Sequence, residues 1–280
     1  MYPSIGMKRI LTAVVLIPIA ILLVFWAPFW LFTLACAAVA ELALWEYLAL
    51  ADGMGAKTPR VATCIAVAVL FFFAFRFPDL LTPLLGGIAL ILLALCTFRS
   101  PLNRILPDAA FSTFGVFYIG LSLITLPLLS AQENGPALLL FLFFAVWAGD
   151  IAALYIGKLF GRHKMAPHLS PGKTWEGAAA SLAASALSAL FLIWLAGFLA
   201  NHGVNALSYP GSIVHWLILA VLLNAAAQLG DLVESGLKRG AGVKDSGTLL
   251  PGHGGMLDRI DALLLAAPLL WYAQIAQQYF

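Results

Sequence analysis

The feature that most limits how this chain can fold is a succession of long apolar runs, each ended by a cluster of charge, Gly or Pro. Read between those clusters, nine candidate helices lie at approximately 10–26, 29–50, 61–75, 80–98, 109–130, 137–158, 174–199, 212–236 and 256–278. About 20 apolar residues cross the hydrocarbon core of a bilayer, and most of these runs are of that order. The third is short, and Pro28 divides the first pair as in a tight hairpin. Composition agrees, because 62% of the 280 residues are hydrophobic and 10% are charged, against roughly 25% charged in soluble domains. So much apolar surface needs hydrocarbon around it. The expected fold is an all-α, polytopic transmembrane helical bundle forming one integrated membrane domain.

The formal charge of +2 is too small to attract nucleic acid, so the placement of the cations matters more than their sum. With the N-terminus in the cytoplasm, Lys8, Arg9, Lys57, Arg60, Arg99, Arg104, Lys158, Arg162, Lys164, Lys173, Lys238, Arg239, Lys244 and Arg259 all fall inside. Of the 15 Lys and Arg residues, Arg76 alone falls outside. This is the distribution of a nine-span, N-in/C-out protein, and losing one span would scramble it. Lys8 and Arg9 before the run 10–26 resemble a secretory signal, but further long apolar runs follow at once, which favours a first membrane helix. Cys36, Cys64 and Cys96 lie far apart in apolar segments with no metal-ligand spacing, and read as small packing residues.

Loop chemistry is uneven. Residues 1–108 hold four spans with short connections, whereas 109–280 hold two polar segments expected in the cytoplasm, 159–173 and 237–255. Function is expected in that second part. No internal repeat or low-complexity tract suggests a separate soluble domain.

Carboxylates at membrane depth are costly and mark functional sites. Asp150 precedes Lys158 by about 12 Å of helix rise and Asp231 precedes Lys238 by about 10 Å, which puts both in the cytoplasmic half of the bilayer. Asp258 and Asp261 open the last candidate helix and, three residues apart, are expected on one face. Each Asp alone could be held by a neighbouring Lys or Arg. Together, Asp231, Asp258 and Asp261 suit a hard divalent cation such as Mg²⁺, which takes a few carboxylates and completes its shell with water and phosphate oxygens.

Between those helices, residues 235–255 place Lys238, Arg239, Lys244 and His253 among several glycines, including Gly254 and Gly255. Glycine lets backbone approach phosphate, and the start of the last helix is expected to add oriented N–H groups. A positive-inside loop with turn glycines would explain the cations but not the acidic residues enclosing them. His253 fits a catalytic or a structural role equally.

A second polar piece, Ser170-Pro-Gly-Lys-Thr-Trp-Glu-Gly177, contains Gly-Lys-Thr but is no P-loop, because Pro167 stands where the first glycine belongs and no strand is expected before it. It reads as a helix start that either carries Lys173 toward a phosphate with Glu176 in the first turn, or simply caps the helix. His163 and His168 are five apart and share no helical face, so zinc is not expected. Glu41 and Glu46, also five apart, read as structural or interfacial.

The stretch Ser235–Asp261 reads S-x-L-K-R-x4-K-D-x-G-x2-L-P-x-H-G-G-x2-D-R-x-D and resembles, without departure, the signature of the phosphatidate cytidylyltransferase (CDP-diacylglycerol synthase) family. Gln228-Leu-Gly-Asp-Leu-Val-Glu234, the 170–177 segment and Asp150-Ile-Ala-Ala-Leu-Tyr-Ile-Gly157 look like further family elements. The resemblance covers the C-terminal half; the N-terminal half is similar mainly in being hydrophobic helices.

The resemblance implies transfer of CMP from CTP to phosphatidate, giving CDP-diacylglycerol and pyrophosphate, in an inner bacterial membrane with the chemistry facing the cytoplasm. It implies Mg²⁺ held by Asp231, Asp258 and Asp261, with a second, monovalent cation such as K⁺ as an option. Catalysis would fall to those three carboxylates and Lys244. Phosphates would be bound by Lys173, Ser235, Lys238, Arg239, His253, Gly254, Gly255 and Arg259. Asp150, Glu176, Glu234 and Asp245 are secondary candidates. The expected partners are CTP, phosphatidate and membrane lipids, with a homodimer left open and no nucleic acid. A CTP-dependent polyprenol kinase would share the helices and metal logic but not this whole signature. A CDP-alcohol phosphotransferase would need D-G-x2-A-R-x8-G-x3-D-x3-D, which is absent. A transporter of phosphorylated solutes would release no pyrophosphate.

Overall fold

A computed structural model describes residues 18–249 and 254–277. Lys8, Arg9, the start of the first candidate span, Pro251 and His253 lie outside the described residues. The helices are α1 (18–26), α2 (Phe29–Gly53), α3 (Arg60–Arg76), α4 (Leu81–Arg99), α5 (Ile105–Gly115), α6 (Ser122–Ser130), α7 (Gly135–Phe160), α8 (Trp175–Asn201), α9 (Ile213–Gly240), α10 (Leu257–Ile260) and α11 (Leu263–Gln277). Every apolar run predicted from the sequence contains a helix. Pro28 and Pro59, both non-helical, stand immediately before α2 and α3, and Pro136 lies in the first turn of α7, where a missing N–H costs nothing.

Among the described residues, six helical stretches are long and apolar enough to cross a bilayer: Phe29–Gly53, Pro78–Arg99, Leu102–Ser130, Gly135–Phe160, Trp175–Asn201 and Ile213–Gly240. The third of these joins α5 to α6 through a π-helical segment, Val116–Leu121. Large apolar side chains such as Leu90, Ile91 and Phe98 are well exposed on these helices, as a lipid-facing surface requires. The chain is an integral membrane protein built of helices.

Two expectations are corrected. The polar segment 159–173 is not a plain loop in an all-α chain: β1 (Lys164–Ala166) and β2 (Ser170–Thr174) pair antiparallel, with Lys164 opposite Thr174 and Ala166 opposite Ser170. The Gly-Lys-Thr sequence is therefore strand, running directly into α8, rather than a phosphate loop. Thr174 caps α8, its Oγ1 accepting from Gly177 N at 3.2 Å, an interaction that contributes about 1 kcal/mol. The second correction concerns the last run, which is not one helix. It breaks at Asp261 and Ala262, between α10 and α11, so Asp258 and Asp261 do not share a continuous helix face.

The chain forms two compact units, each discontinuous in sequence: Met1–Pro127 with Gly236–Ile260, and Leu128–Ser235 with Asp261–Phe280. In the first unit the core gathers Leu44, Tyr47, Leu48, Leu70, Ile119 and Ile124, all fully buried. The Tyr47 hydroxyl donates to Phe111 O at 3.0 Å, which satisfies the one polar atom that burying this ring would strand.

In the second unit α7, α8 and α9 are joined by a buried polar network. Asn224 Oδ1 accepts from Ser181 Oγ at 2.9 Å and from Gln228 Nε2 at 2.8 Å, while Asn224 Nδ2 donates to Ala145 O at 3.3 Å. Ser185 donates to the same carbonyl. Inside apolar helices such bonds add about 0.6–2 kcal/mol each and fix the rotation of one helix against the next. That rotation sets the direction of Asp231, two turns beyond Asn224 on α9.

Candidate active site

In the second unit the C-terminal part of α9 supplies Asp231 and Glu234, and the chain at the α10–α11 break supplies Asp261. One oxygen of each carboxylate lies within 4.8 Å of the others. Gly230 makes this approach possible, since a Cβ there would collide with the Asp261 carbonyl. Lys173, carried by β2, reaches Asp231 Oδ2 at 2.6 Å and Gln228 O at 3.4 Å. Ser235, one turn after Asp231, lies 3.5 Å from its Oδ1. Glu234 is fully buried.

Carboxylates gathered within 4.8 Å of one another repel by roughly 3 kcal/mol or more at an effective dielectric constant near 20. Three carboxylates form an all-oxygen donor set that suits Mg²⁺, which takes a few carboxylate oxygens and keeps further positions for water or phosphate. Asp150 on α7 is exposed and within electrostatic reach of Asp231 and Lys173.

In the first unit the signature loop is organised by two other carboxylates. Asp258 Oδ1 pairs with Lys238 Nζ at 2.6 Å, both side chains being largely buried. Its Oδ2 accepts from Gly255 N at 2.8 Å and from Ser246 N and Oγ at 2.9 Å. Glu46, two turns before the C-terminal end of α2, accepts from Met256 N at 2.9 Å and, through its other oxygen, from Leu257 N at 2.8 Å and Ser246 Oγ at 2.9 Å. Gly255 has no room for a Cβ because Glu46 and Ser246 fill that space.

These contacts correct a further expectation. The N–H groups at the start of the last helical run do not face outward for phosphate: Met256 and Leu257 donate to Glu46, and Gly255 donates to Asp258. Glu46, which the sequence marks as structural or interfacial, has a structural role, but its partners were not legible. Its signal was a carboxylate in an apolar helix, but its donors come from 200 or more residues away in sequence, beyond the reach of helical periodicity.

The remaining candidates divide by exposure. Lys244, Asp245, Arg239 and Arg259 are exposed, with Arg239 Nη1 donating to Val243 O at 3.1 Å. Gly254 sits at φ +78° beside the Asp258 carboxylate. Glu176 faces His163, its Oε1 2.6 Å from His163 Nδ1, and so ties the start of α8 to the chain entering β1. Lys173 is bound to Asp231 rather than held out toward solvent.

The chain is a helical membrane protein that carries a convergent carboxylate cluster and a basic, glycine-rich loop bearing the signature. The cytidylyltransferase family matches residues 7–276, and the chain belongs to that family. It is 37% identical over 278 residues to a phosphatidate cytidylyltransferase of Pseudomonas aeruginosa, a match covering 95% of this chain and 97% of the relative. A phosphatidate cytidylyltransferase of Haemophilus influenzae is 35% identical over 292 residues, with the same coverage. One from Brucella suis is 44% identical over 158 residues, or 56% of this chain and 54% of the relative, so there the chain spans about half the length of the protein it matches.

Proposed function

We propose that this chain transfers CMP from CTP to phosphatidate, forming CDP-diacylglycerol and pyrophosphate. A phosphatidate phosphate oxygen attacks the α-phosphorus of CTP; the new O–P bond forms as the bond to the β-phosphate oxygen breaks, and pyrophosphate leaves with that electron pair. Phosphatidate is itself the nucleophile, so no covalent protein intermediate is required. The observation that carries this reading is the Asp231–Glu234–Asp261 cluster with Lys173 at its edge, in a chain whose relatives over nearly their whole length are phosphatidate cytidylyltransferases.

Asp231, Glu234 and Asp261 would hold Mg²⁺, which when bound supplies positive charge to the phosphate oxygens. K⁺ is the candidate for a second cation. Lys173 holds Asp231 in place and balances part of the cluster's charge. Asp258, with Lys238 and Glu46, holds the signature loop in shape, and the exposed cations Lys244, Arg239 and Arg259 would bind phosphate. The lipid acceptor accounts for a nucleotide site built in a membrane protein. The cation distribution supports nine spans, N-in and C-out, in a bacterial inner membrane with the chemistry on the cytoplasmic side.

The test is purified protein with phosphatidate, Mg²⁺ and each nucleoside triphosphate in turn. Pyrophosphate and CDP-diacylglycerol should form together, with CTP, and only when phosphatidate is present. Phosphorylated lipid without pyrophosphate would make the chain a lipid kinase, and no product with any triphosphate would overturn the proposal.

A further inference from the structure

The first unit holds a second polar site that the proposed reaction does not use. At the α2–α3 and α4–α5 connections, Lys57, Thr58, Cys96, Arg99, Ser100 and Pro101 line a cavity of about 140 Å³. It is built on Asp108, which is fully buried. One Asp108 oxygen accepts from Lys57 N at 2.9 Å and the other from Ser100 Oγ at 2.7 Å, with Arg104 Nε 3.5 Å away. One carboxylate thus ties together two connections more than 40 residues apart in sequence, and its own charge is met by Arg104.

Asp108 fixes the cup but leaves its cations uncompensated. Among the described residues, neither the Lys57 ammonium nor the Arg99 guanidinium is in an ion pair, whereas nearby Arg60 is paired with Asp52 at 2.7 Å. Two cations without a carboxylate partner around one small cavity are arranged for an anion.

Size and surroundings select which anion. Pockets enclosing whole drug-sized molecules run to about 300–1,000 Å³, so this one takes a phosphate-sized group and not a nucleotide. Beside it, Phe98, Leu102 and Leu106 are 89%, 91% and 71% exposed, an apolar flank running out from Arg99 and Pro101. A free phosphate gains nothing from that flank, whereas a lipid lays its acyl chains there while its headgroup meets the cations.

We propose that this cavity is a binding site for an anionic phospholipid headgroup, held by Lys57 and Arg99 and separate from the residues assigned to catalysis. Two lipids presented in mixed micelles to the delipidated full-length protein provide the test: phosphatidylglycerol as the anionic probe and phosphatidylcholine as the neutral control. Bound lipid is counted by native mass spectrometry. Phosphatidylglycerol affinity should fall about fivefold for Lys57→Gln or Arg99→Gln and about thirtyfold for both, with phosphatidylcholine unchanged. Thermal melting of the charge variants in detergent, superimposing on wild type, guards against misfolding. Equal phosphatidylglycerol binding by wild type and the double variant would overturn the proposal. Displacement of that lipid by millimolar inorganic phosphate would also overturn it, making the cavity a site for soluble phosphate. Because lipid binding is the readout, failure of the cytidylyltransfer assay leaves this test unaffected.

Discussion

Ser246 Oγ lies 2.9 Å from Glu46 Oε2, joining residues 200 positions apart and fixing the signature loop to the C-terminal third of α2. The same hydroxyl lies 2.9 Å from Asp258 Oδ2, so its single proton serves one carboxylate or the other. An N-terminal helix therefore shapes the most distinctive segment of the C-terminal half. Glu46→Ala removes the acceptors of Met256 N and Leu257 N and should destabilise the protein by about 2–4 kcal/mol. Glu46→Gln keeps one oxygen and should cost less. Thermal melting in detergent checks the order, and turnover should fall in the same order; melting curves that superimpose on wild type would show that these bonds carry no stability.

Glu234, only a secondary candidate from the sequence, stands in the carboxylate cluster where Asp258 was expected. Glu234 belongs to the carboxylate cluster, while Asp258 accepts from Lys238, Ser246 and Gly255. Glu234→Gln should raise the Mg²⁺ concentration for half-maximal turnover by about tenfold or more, as losing one of three charged ligands implies. Asp258→Asn should lower stability and maximal rate with a much smaller shift in Mg²⁺ dependence. Titrating Mg²⁺ at saturating CTP separates the two, and a large Mg²⁺ shift for Asp258→Asn alone would return that residue to the metal.

Lys173 lies 2.6 Å from Asp231 Oδ2, where it would compete with a bound cation. Lys173→Met removes a positive charge from an acidic cluster, so Mg²⁺ should bind more tightly while turnover falls for want of the orienting ammonium. A two- to fivefold decrease in the half-saturating Mg²⁺ concentration is expected, about 0.4–1 kcal/mol, the scale of a partly exposed ion pair. Weaker Mg²⁺ binding in this variant would mean that Lys173 organises the ligands more than it opposes the ion.

How far the sequence reached depends on the range of each interaction. The helices were readable because a run of apolar residues is a local property, and so was the α8 cap at Thr174. Asp231 and Asp261 stood out as carboxylates at membrane depth. The break after Ile260 was not readable, since no proline or glycine marks residues 261–262. The Glu46 contacts were hidden for another reason, depending on which helix packs against which, and spacing along one chain carries no such information.

Orientation is open to direct labelling. Native Cys36 and Cys96 are buried and Cys64 is half-buried, so single cysteines can be added on a cysteine-free background. Cysteines in the connections 131–136 and 202–211 should react with a membrane-impermeant maleimide from outside intact cells. A cysteine at exposed position 248 should react only after the cytoplasmic face is opened. The reverse pattern would invert the proposed topology.

Lys244 is exposed and lies in the signature loop, where its ammonium can reach a phosphate without disturbing packing. Lys244→Ala should therefore change stability by less than about 0.5 kcal/mol, so that any kinetic effect is chemical. If Lys244 grips the phosphates of CTP equally before and during reaction, KM for CTP rises and kcat holds. If it acts on charge that develops as pyrophosphate departs, kcat falls and KM holds. Bond breaking moves charge onto the leaving pyrophosphate, so both constants should change, with the larger loss in kcat, about ten- to a hundredfold. Steady-state kinetics at saturating phosphatidate and Mg²⁺ decide between these outcomes. Wild-type values for both constants would remove Lys244 from the reaction, leaving Arg239 and Arg259 as the exposed cations of the signature able to meet the phosphates.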